Sequence, residues 1–222
     1  MGSRPALSTG HEALDDALGT GGWPRGALAM LDAPVGVGAT TLGLQSLAAA
    51  QATGGMVAYL DPARSLDPAT AARLGVNLEW LLVVHPADTA EAVELAAWLA
   101  RDGRIDAMVL DLAAVAPPRN LDRLARVLVR SGGVTLVLAG AGGREAAGVR
   151  VRLWRRSWLA AGPDLVGQRV EAVVERHRWA LAGGRAELDL FFAEGRRTDA
   201  WLRAAAAPVE EASRPALRTV GA

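Results

Sequence analysis

The sequence contains no cysteine, so neither a disulfide framework nor a thiolate metal site can form. All 24 of its Lys and Arg residues are arginine, which leaves no lysine ammonium group for chemistry. No apolar run reaches the roughly 18 residues of a membrane span, and the first residues lack the apolar core of a signal peptide. We therefore expect a cytoplasmic protein without membrane contact.

The chain has 222 residues, of which 51% are hydrophobic, enough for one domain with a substantial core. Short apolar runs, which we predict as buried strands, occupy residues 27–31, 56–60, 81–84, 107–110 and 134–138. Segments with helical periodicity or helix-forming composition alternate with them at 40–51, 68–74, 89–101 and 121–130. This alternation predicts an α/β fold, with a mostly parallel sheet covered by helices on both faces.

The pattern changes after Gly143. Residues 149–154, 169–176 and 186–192 alternate in the manner of strands and are separated by turns, so we expect them to extend the sheet as hairpins. From Ala204 the composition is rich in Ala, Pro, Glu and Arg without periodicity. We predict a core domain over residues 1–203 and a flexible tail over 204–222.

Several motifs resemble the RecA recombinase core. They begin at residues 7–10 and 24–26 and continue through 33–41, Ala-Pro-Val-Gly-Val-Gly-Ala-Thr-Thr, where that family has its phosphate loop. Further agreement at 66–76 and 166–170 follows in the same order, so the resemblance covers about residues 7–197. It implies a RecA-like P-loop core with a mostly parallel twisted sheet, flanking helices and C-terminal antiparallel strands.

The phosphate loop lacks its cation. Such a loop directs backbone N–H groups at the phosphates, while a lysine neutralises the β/γ oxygens and the next Ser/Thr ligates Mg²⁺. Gly36, Gly38, Thr40 and Thr41 are present, but the lysine position is Ala39. Without that charge the transferring phosphoryl group loses a major stabiliser.

Three further departures point the same way. By resemblance, the carboxylate that activates water falls at Ala63, the adenine-stacking aromatic at Thr70 and the γ-phosphate sensor near Gly140. Only Asp111 remains where a Mg²⁺-associated carboxylate belongs. We therefore predict no ATPase activity and no bound cofactor, the loop being vestigial with a structural role for its glycines and for Asp111.

The resemblance also implies missing assembly parts. Only six residues precede Leu7, where the family has an arm that docks on the neighbouring subunit, so we expect no head-to-tail filament. The positions of the two DNA-contacting loops, 112–120 and 140–148, are short, which argues against filament-style DNA binding. The three histidines, His11, His85 and His177, show no ligand spacing, and we expect no metal site.

Two surfaces are candidates for partner binding. Trp154 and Trp158 lie among four arginines, Arg150, Arg152, Arg155 and Arg156. This pattern fits packing beside a solvated basic face, a protein interface patch, or a weak stacking platform for single-stranded DNA.

The second candidate is the socket that receives a RecA-type arm by strand addition. The resemblance puts it on the outer side of the third strand and the next helix, about residues 85–101. We expect His85, Thr89, Val93 and Ala97 to contribute to it.

A RecA core without catalysis, arm or long loops resembles ImuA, the RecA-like accessory family of bacterial mutagenic translesion synthesis in the SOS response to DNA damage. That resemblance implies an adaptor that binds an ImuB-like polymerase homologue, with RecA as a further partner. The alternatives are a SulA-like cell-division inhibitor and an atypical ATP- or DNA-binding RecA paralogue.

Overall fold

The computed structural model describes residues 5–113, 121–139 and 146–192, together with the backbone of 207–209. The helices in these ranges are α1 Glu12–Leu18, α2 Ala39–Ala52, α3 Pro68–Arg73, α4 Thr89–Asp102 and α5 Leu121–Ser131, with a 3-10 turn at Leu78–Trp80. The strands are β1 Ala6–Leu7, β2 Trp23–Pro24, β3 Leu28–Asp32, β4 Met56–Leu60, β5 Leu81–Val84, β6 Ile105–Leu112, β7 Val134–Ala139, β8 Val149–Ala161, β9 Asp164–His177, β10 Arg185–Phe191 and β11 Ala207–Val209.

One nine-stranded sheet organises the fold, in the order β10-β9-β8-β3-β7-β6-β4-β5, with β11 attached to β8. The strands from β8 to β5 in this order run parallel, whereas β9, β10 and β11 join by antiparallel pairing. A separate two-stranded ribbon joins β1 to β2. The predicted α/β fold, with a mostly parallel sheet, flanking helices and C-terminal antiparallel strands, is confirmed.

Two apolar layers hold helices against the central strands. Strands β3, β6 and β7 are buried along almost their whole length, as continuous apolar runs in a helix-covered sheet should be. On one face α1 and α2 pack against a core that includes Leu31 and Leu138. On the other, α4 and α5 pack against a core that includes Met30 and Leu110. The sheet is therefore the rigid frame on which both candidate sites lie.

The antiparallel half has a different surface. Along β8 buried residues alternate with more exposed ones, most of which are arginine and tryptophan, and this alternation is interrupted at residues 154–156. The strand continues to Ala161, beyond the predicted end at Trp154, because β9 pairs with it as far as Ala161↔Asp164. The turn between them contains Gly162 with φ 62°, a backbone conformation that favours glycine.

Three features differ from the sequence predictions. Helix α1 and the ribbon of β1 and β2 were not predicted. Within the predicted tail, the backbone of Ala207–Val209 pairs with β8, while the rest of 204–222 lies outside the described residues. Most of the two proposed DNA-loop positions, at 114–120 and 140–145, also lies outside them. Across the described ranges, no helix has the length and apolar character to cross a membrane.

Candidate functional site

The glycine loop joins the end of β3 to the start of α2. Gly36 and Gly38 have φ of 80° and 99°, in the left-handed region, which explains why glycine occupies both positions. The Val37 N–H donates to the Pro34 carbonyl at 3.2 Å and tightens the turn. Ala39 is the first residue of α2, so the helix begins with a methyl group where a phosphate loop carries its lysine.

Side chains from the antiparallel strands support this loop. The Gly36 carbonyl accepts hydrogen bonds from Gln168 Nε2 at 3.1 Å and from Arg155 Nη2 at 3.5 Å. Arg155 Nε in turn donates to Gln168 Oε1 at 2.9 Å. A Cβ atom at Gly38 would overlap the Leu190 side chain. Hydrogen bonds from β8 and β9 therefore fix the loop. The Arg155 guanidinium lies beside it, a position that the sequence did not predict.

Asp111, at the end of β6, is buried and already hydrogen-bonded. Its Oδ2 accepts from the Tyr59 hydroxyl at 2.6 Å, and its Oδ1 accepts from the Ala113 N–H at 3.1 Å. Tyr59 itself is fully buried on β4. Burial is the main cause that raises the pKa of Tyr59, with the charges of Asp111 and Asp61 adding to it and the Thr40 side chain opposing it. The Tyr59 phenol therefore lies between the Asp111 carboxylate and Thr40, in the first turn of α2.

The loop after β4 is fixed by a buried carboxylate. Asp61 is buried and accepts from the N–H groups of Ser65 at 3.0 Å and Leu66 at 2.8 Å, which fixes the turn. Ala63, where the resemblance predicts the position of a water-activating carboxylate, is exposed on this turn. Asp61 therefore supports the backbone of the turn.

Thr70, at the adenine-stacking position, is part of a helix cap. Its hydroxyl donates to Asp67 Oδ2 at 2.6 Å, and Asp67 also accepts from the N–H groups of Ala69 and Thr70 at the start of α3. These hydrogen bonds lower the pKa of Asp67, and the bond from the Thr70 hydroxyl has the largest effect. No flat aromatic surface is presented at this position for a base.

Three of the four arginines of β8 are ion-paired with acidic neighbours. Arg152 bonds Asp32 at 2.8 Å and Glu175 at 3.0 Å. Arg150 approaches Glu175 to 2.8 Å as an ion pair, though without the alignment of a hydrogen bond. This part of the surface is a ladder of ion pairs, and the uncompensated basic patch that the nucleic-acid hypothesis assumed is absent from these described residues.

The rest of the tryptophan patch combines one ion pair with contacts to rings. Arg156 is ion-paired with Glu171, and the Arg155 guanidinium lies 4.1 Å from the centroid of the Trp158 ring. Trp154 is exposed, and the Arg152 guanidinium lies 5.7 Å from its ring centroid. The six predicted residues therefore follow one strand, and its four arginines all have partners within the protein.

The arm socket requires a correction. His85 is exposed, with Nδ1 3.1 Å from the Asp61 carbonyl, and Thr89 begins α4. Val93 and Ala97, however, are only 4% and 2% exposed and belong to the core beneath α4. A partner cannot touch them in the folded protein, because the apolar face of an amphipathic helix packs inwards.

The accessible part of this region is the edge strand β5. It pairs with β4 on one side, and Leu82 and Val83 are 41% and 37% exposed. The Asp61 N–H donates to the Val84 carbonyl at 2.8 Å, so the polar backbone groups of Val84 face β4. Backbone directions alternate along a strand, and those of Val83 therefore face the edge that no other described strand covers. Trp80, 58% exposed, directly precedes this strand.

The histidines occupy separate places. His11 Nε2 lies 2.8 Å from Gln45 Oε1, and His177 Nδ1 accepts from the Trp179 N–H at 3.1 Å. Burial lowers the pKa of His177. Among the described residues, no group of three or more His, Asp or Glu side chains is arranged to hold a metal ion.

The sheet order, the glycine loop between β3 and α2, and the acid at the end of β6 define a P-loop protein of the RecA-like class. Residues 3–125 match the RecA N-terminal domain family, and the chain belongs to that family.

Its relatives support this assignment. The chain is 32% identical over 228 residues to Protein RecA of Listeria monocytogenes serotype 4a (strain HCC23), covering 85% of this chain and 66% of that protein. It is 44% identical over 124 residues to Protein RecA of Gluconobacter oxydans (strain 621H), covering 54% and 36%. The chain thus spans at most about two thirds of these relatives. The fold is similar to the crystal structure of the RadB recombinase, with a TM-score of 0.63, 22% identity, and coverage of 82% and 95%.

Proposed function

We propose that this protein is a non-catalytic member of the RecA family that acts as an adaptor in the bacterial DNA damage response. The observation that carries the proposal is that Ala39 begins α2 and the exposed Ala63 follows β4, where the resemblance puts a cation and a base. Asp111 is held in place by hydrogen bonds from Tyr59 and Ala113, one to each oxygen, and each oxygen keeps a further lone pair. With Ala39 and Ala63 in the positions of the cation and the base, the cleft offers little to stabilise phosphoryl transfer.

The finer proposal is an ImuA-like role in mutagenic translesion synthesis. Its support is the combination of a RecA core with departures at the catalytic positions and an open apolar edge on β5. The proposed partner is an ImuB-like polymerase homologue, or RecA itself, which supplies an extended segment. That segment adds to β5 through main-chain hydrogen bonds, while Leu82, Val83 and Trp80 contact its side chains.

Calorimetric titration with Mg·ATP tests the non-catalytic half of the proposal. We expect no binding heat at micromolar nucleotide, whereas a RecA with an intact phosphate loop, titrated alongside, binds. Micromolar affinity here would contradict the proposal and favour an atypical ATP-binding paralogue. Arg155 beside the Gly36 carbonyl is the one observation that favours this second candidate. If Arg155→Ala lost that affinity, Arg155 would be identified as the cation that takes the place of the lysine.

Substitution of Val83 tests whether the partner binds to the edge of β5. Val83→Pro removes the outward N–H donor without breaking a bond to β4, and proline is tolerated at such edge positions. Val83→Ala keeps the donor and removes most of the side chain, which makes it the matched control. We expect Val83→Pro to abolish co-purification with a co-expressed ImuB-like partner or RecA, and Val83→Ala to weaken it only partly.

Two outcomes count against the partner proposal. Undiminished capture by Val83→Pro would show that β5 is not the docking edge. Co-sedimentation with the polymerised cell-division GTPase, lost in Val83→Pro and absent for a RecA control, would favour the SulA-like alternative. The native chain and both variants must unfold at the same urea midpoint, so that a loss of binding cannot be caused by a loss of folding.

A further inference from the structure

A cavity of about 840 Å³ beside α4 and α5 forms what we call the arginine groove. Its lining contains five arginines, Arg101, Arg123, Arg126, Arg130 and Arg178, together with Val127, Val129 and Ser131. Arg101 comes from the last turn of α4 and Arg178 follows β9, while the others lie on α5. Elements distant in sequence thus bring positive charge to one concave surface.

The charge of the groove is uncompensated within the part of the chain that the structure describes. None of its five arginines forms an ion pair with a described carboxylate, whereas three of the four arginines of β8 do. The carboxylates nearest in sequence are Asp102, which pairs with Arg104 at 3.4 Å, and Asp122, which precedes Arg123. Clustered like charges repel one another and destabilise the folded protein, and a bound anionic partner relieves that repulsion.

The spacing on α5 suits an extended ligand. Arg123, Arg126 and Arg130 are three and four residues apart, so they follow one face of the helix. Each guanidinium presents a planar fork that matches a carboxylate or a phosphate in two parallel hydrogen bonds. Exposed arginines in this arrangement can contact successive anionic groups of one chain.

The lining distinguishes between peptide and nucleic acid. Single-stranded nucleic acid sites combine cations with aromatic platforms for the bases. The described lining of the groove contains no aromatic side chain, although Arg178 lies 6.0 Å from the ring centroid of the adjacent Trp179, and Val127 and the 54% exposed Val129 lie between the arginines. Apolar contacts between cationic ones suit a peptide that mixes acidic and aliphatic residues.

We infer that the arginine groove binds an acidic, aliphatic peptide segment of a partner protein. The inference does not rest on the β5 edge, since the groove is formed by other elements, and either site can fail alone. Binding here would give the adaptor a second attachment point, of electrostatic character, so its affinity falls as ionic strength rises.

Fluorescence anisotropy with a labelled peptide of three Glu-Leu-Asp-Glu repeats tests the inference on the full chain. We expect micromolar binding at low salt and a loss of at least about tenfold in Arg126→Glu/Arg130→Glu. The control is Arg64→Glu/Arg73→Glu, which makes the same change in net charge at exposed positions outside the groove. We expect its affinity to stay within about twofold of the native chain.

Three results would overturn the inference. One is no binding of the peptide by the native chain at low salt. Another is an equal loss of affinity in the groove variant and the control, which would indicate bulk charge alone. The third is tighter binding of a labelled oligothymidine or DNA duplex than of the peptide, lost in the groove variant, which would reassign the groove to nucleic acid.

Discussion

Removal of the Tyr59 hydroxyl tests whether Asp111 is a structural residue. In Tyr59→Phe the ring still fills the core, but Asp111 Oδ2 loses its 2.6 Å donor in a buried site. A hydrogen bond to a charged group contributes about 1.5–3 kcal/mol, so we expect the free energy of unfolding to fall by about 2 kcal/mol. For a chain of this size that corresponds to a Tm lower by about 4–8 °C.

A double-mutant cycle, measured by urea unfolding, gives the interaction free energy between Tyr59 and Asp111. Asp111→Ala and Tyr59→Phe/Asp111→Ala complete it, and we expect a coupling energy of at least about 1 kcal/mol. The native chain should also lose stability above pH of about 10, because burial raises the pKa of Tyr59 and only the unfolded chain then releases the proton. Additive losses, or a Tyr59→Phe variant as stable as the native chain, would refute the structural role.

Three further variants follow from burial and hydrogen bonding. Val93→Asp puts a carboxylate in the core and should cost on the order of 3 kcal/mol or more in urea, whereas the exposed control Val129→Asp should stay within about 0.5 kcal/mol. Gln168→Ala removes the 3.1 Å bond to the Gly36 carbonyl, so amide exchange at 35–38 should accelerate, with about 1 kcal/mol of lost stability. Stability should fall as pH drops below about 6.5, because burial lowers the pKa of His177 and the unfolded chain binds the proton first; His177→Gln should flatten that part of the profile.

The central fold was predictable because its periodicity is strong. Strands β4 and β5 begin and end where the apolar runs do, and α4 follows its helical pattern. The far half of β8 was missed because its alternation passes through a register shift between Arg155 and Ser157, which disturbs the pattern. The ribbon of β1 and β2 is too short to show any period.

The candidate site was predictable only where a single residue departs from a sequence motif. Ala39 and Ala63 can be read from the sequence, since each departs from a motif at a fixed place. The Tyr59 bond to Asp111 joins residues 52 apart in sequence and depends on the register between β4 and β6. The burial of Val93 was readable from the helical periodicity, but the resemblance to an arm socket took precedence over it, and that part of the prediction was wrong.

The two ends of the sheet differ in how they meet another chain. The β10 end carries Arg185, Glu187 and Asp189 on exposed positions, and charge of this kind discourages strand pairing. The β5 end carries no charge at all. If β5 pairs with an extended segment as proposed, a second copy can pair with the same edge through a two-fold axis, and that arrangement closes without growing into a fibre. We then expect the purified chain to form dimers at high concentration, and addition of the proposed partner segment to dissociate them.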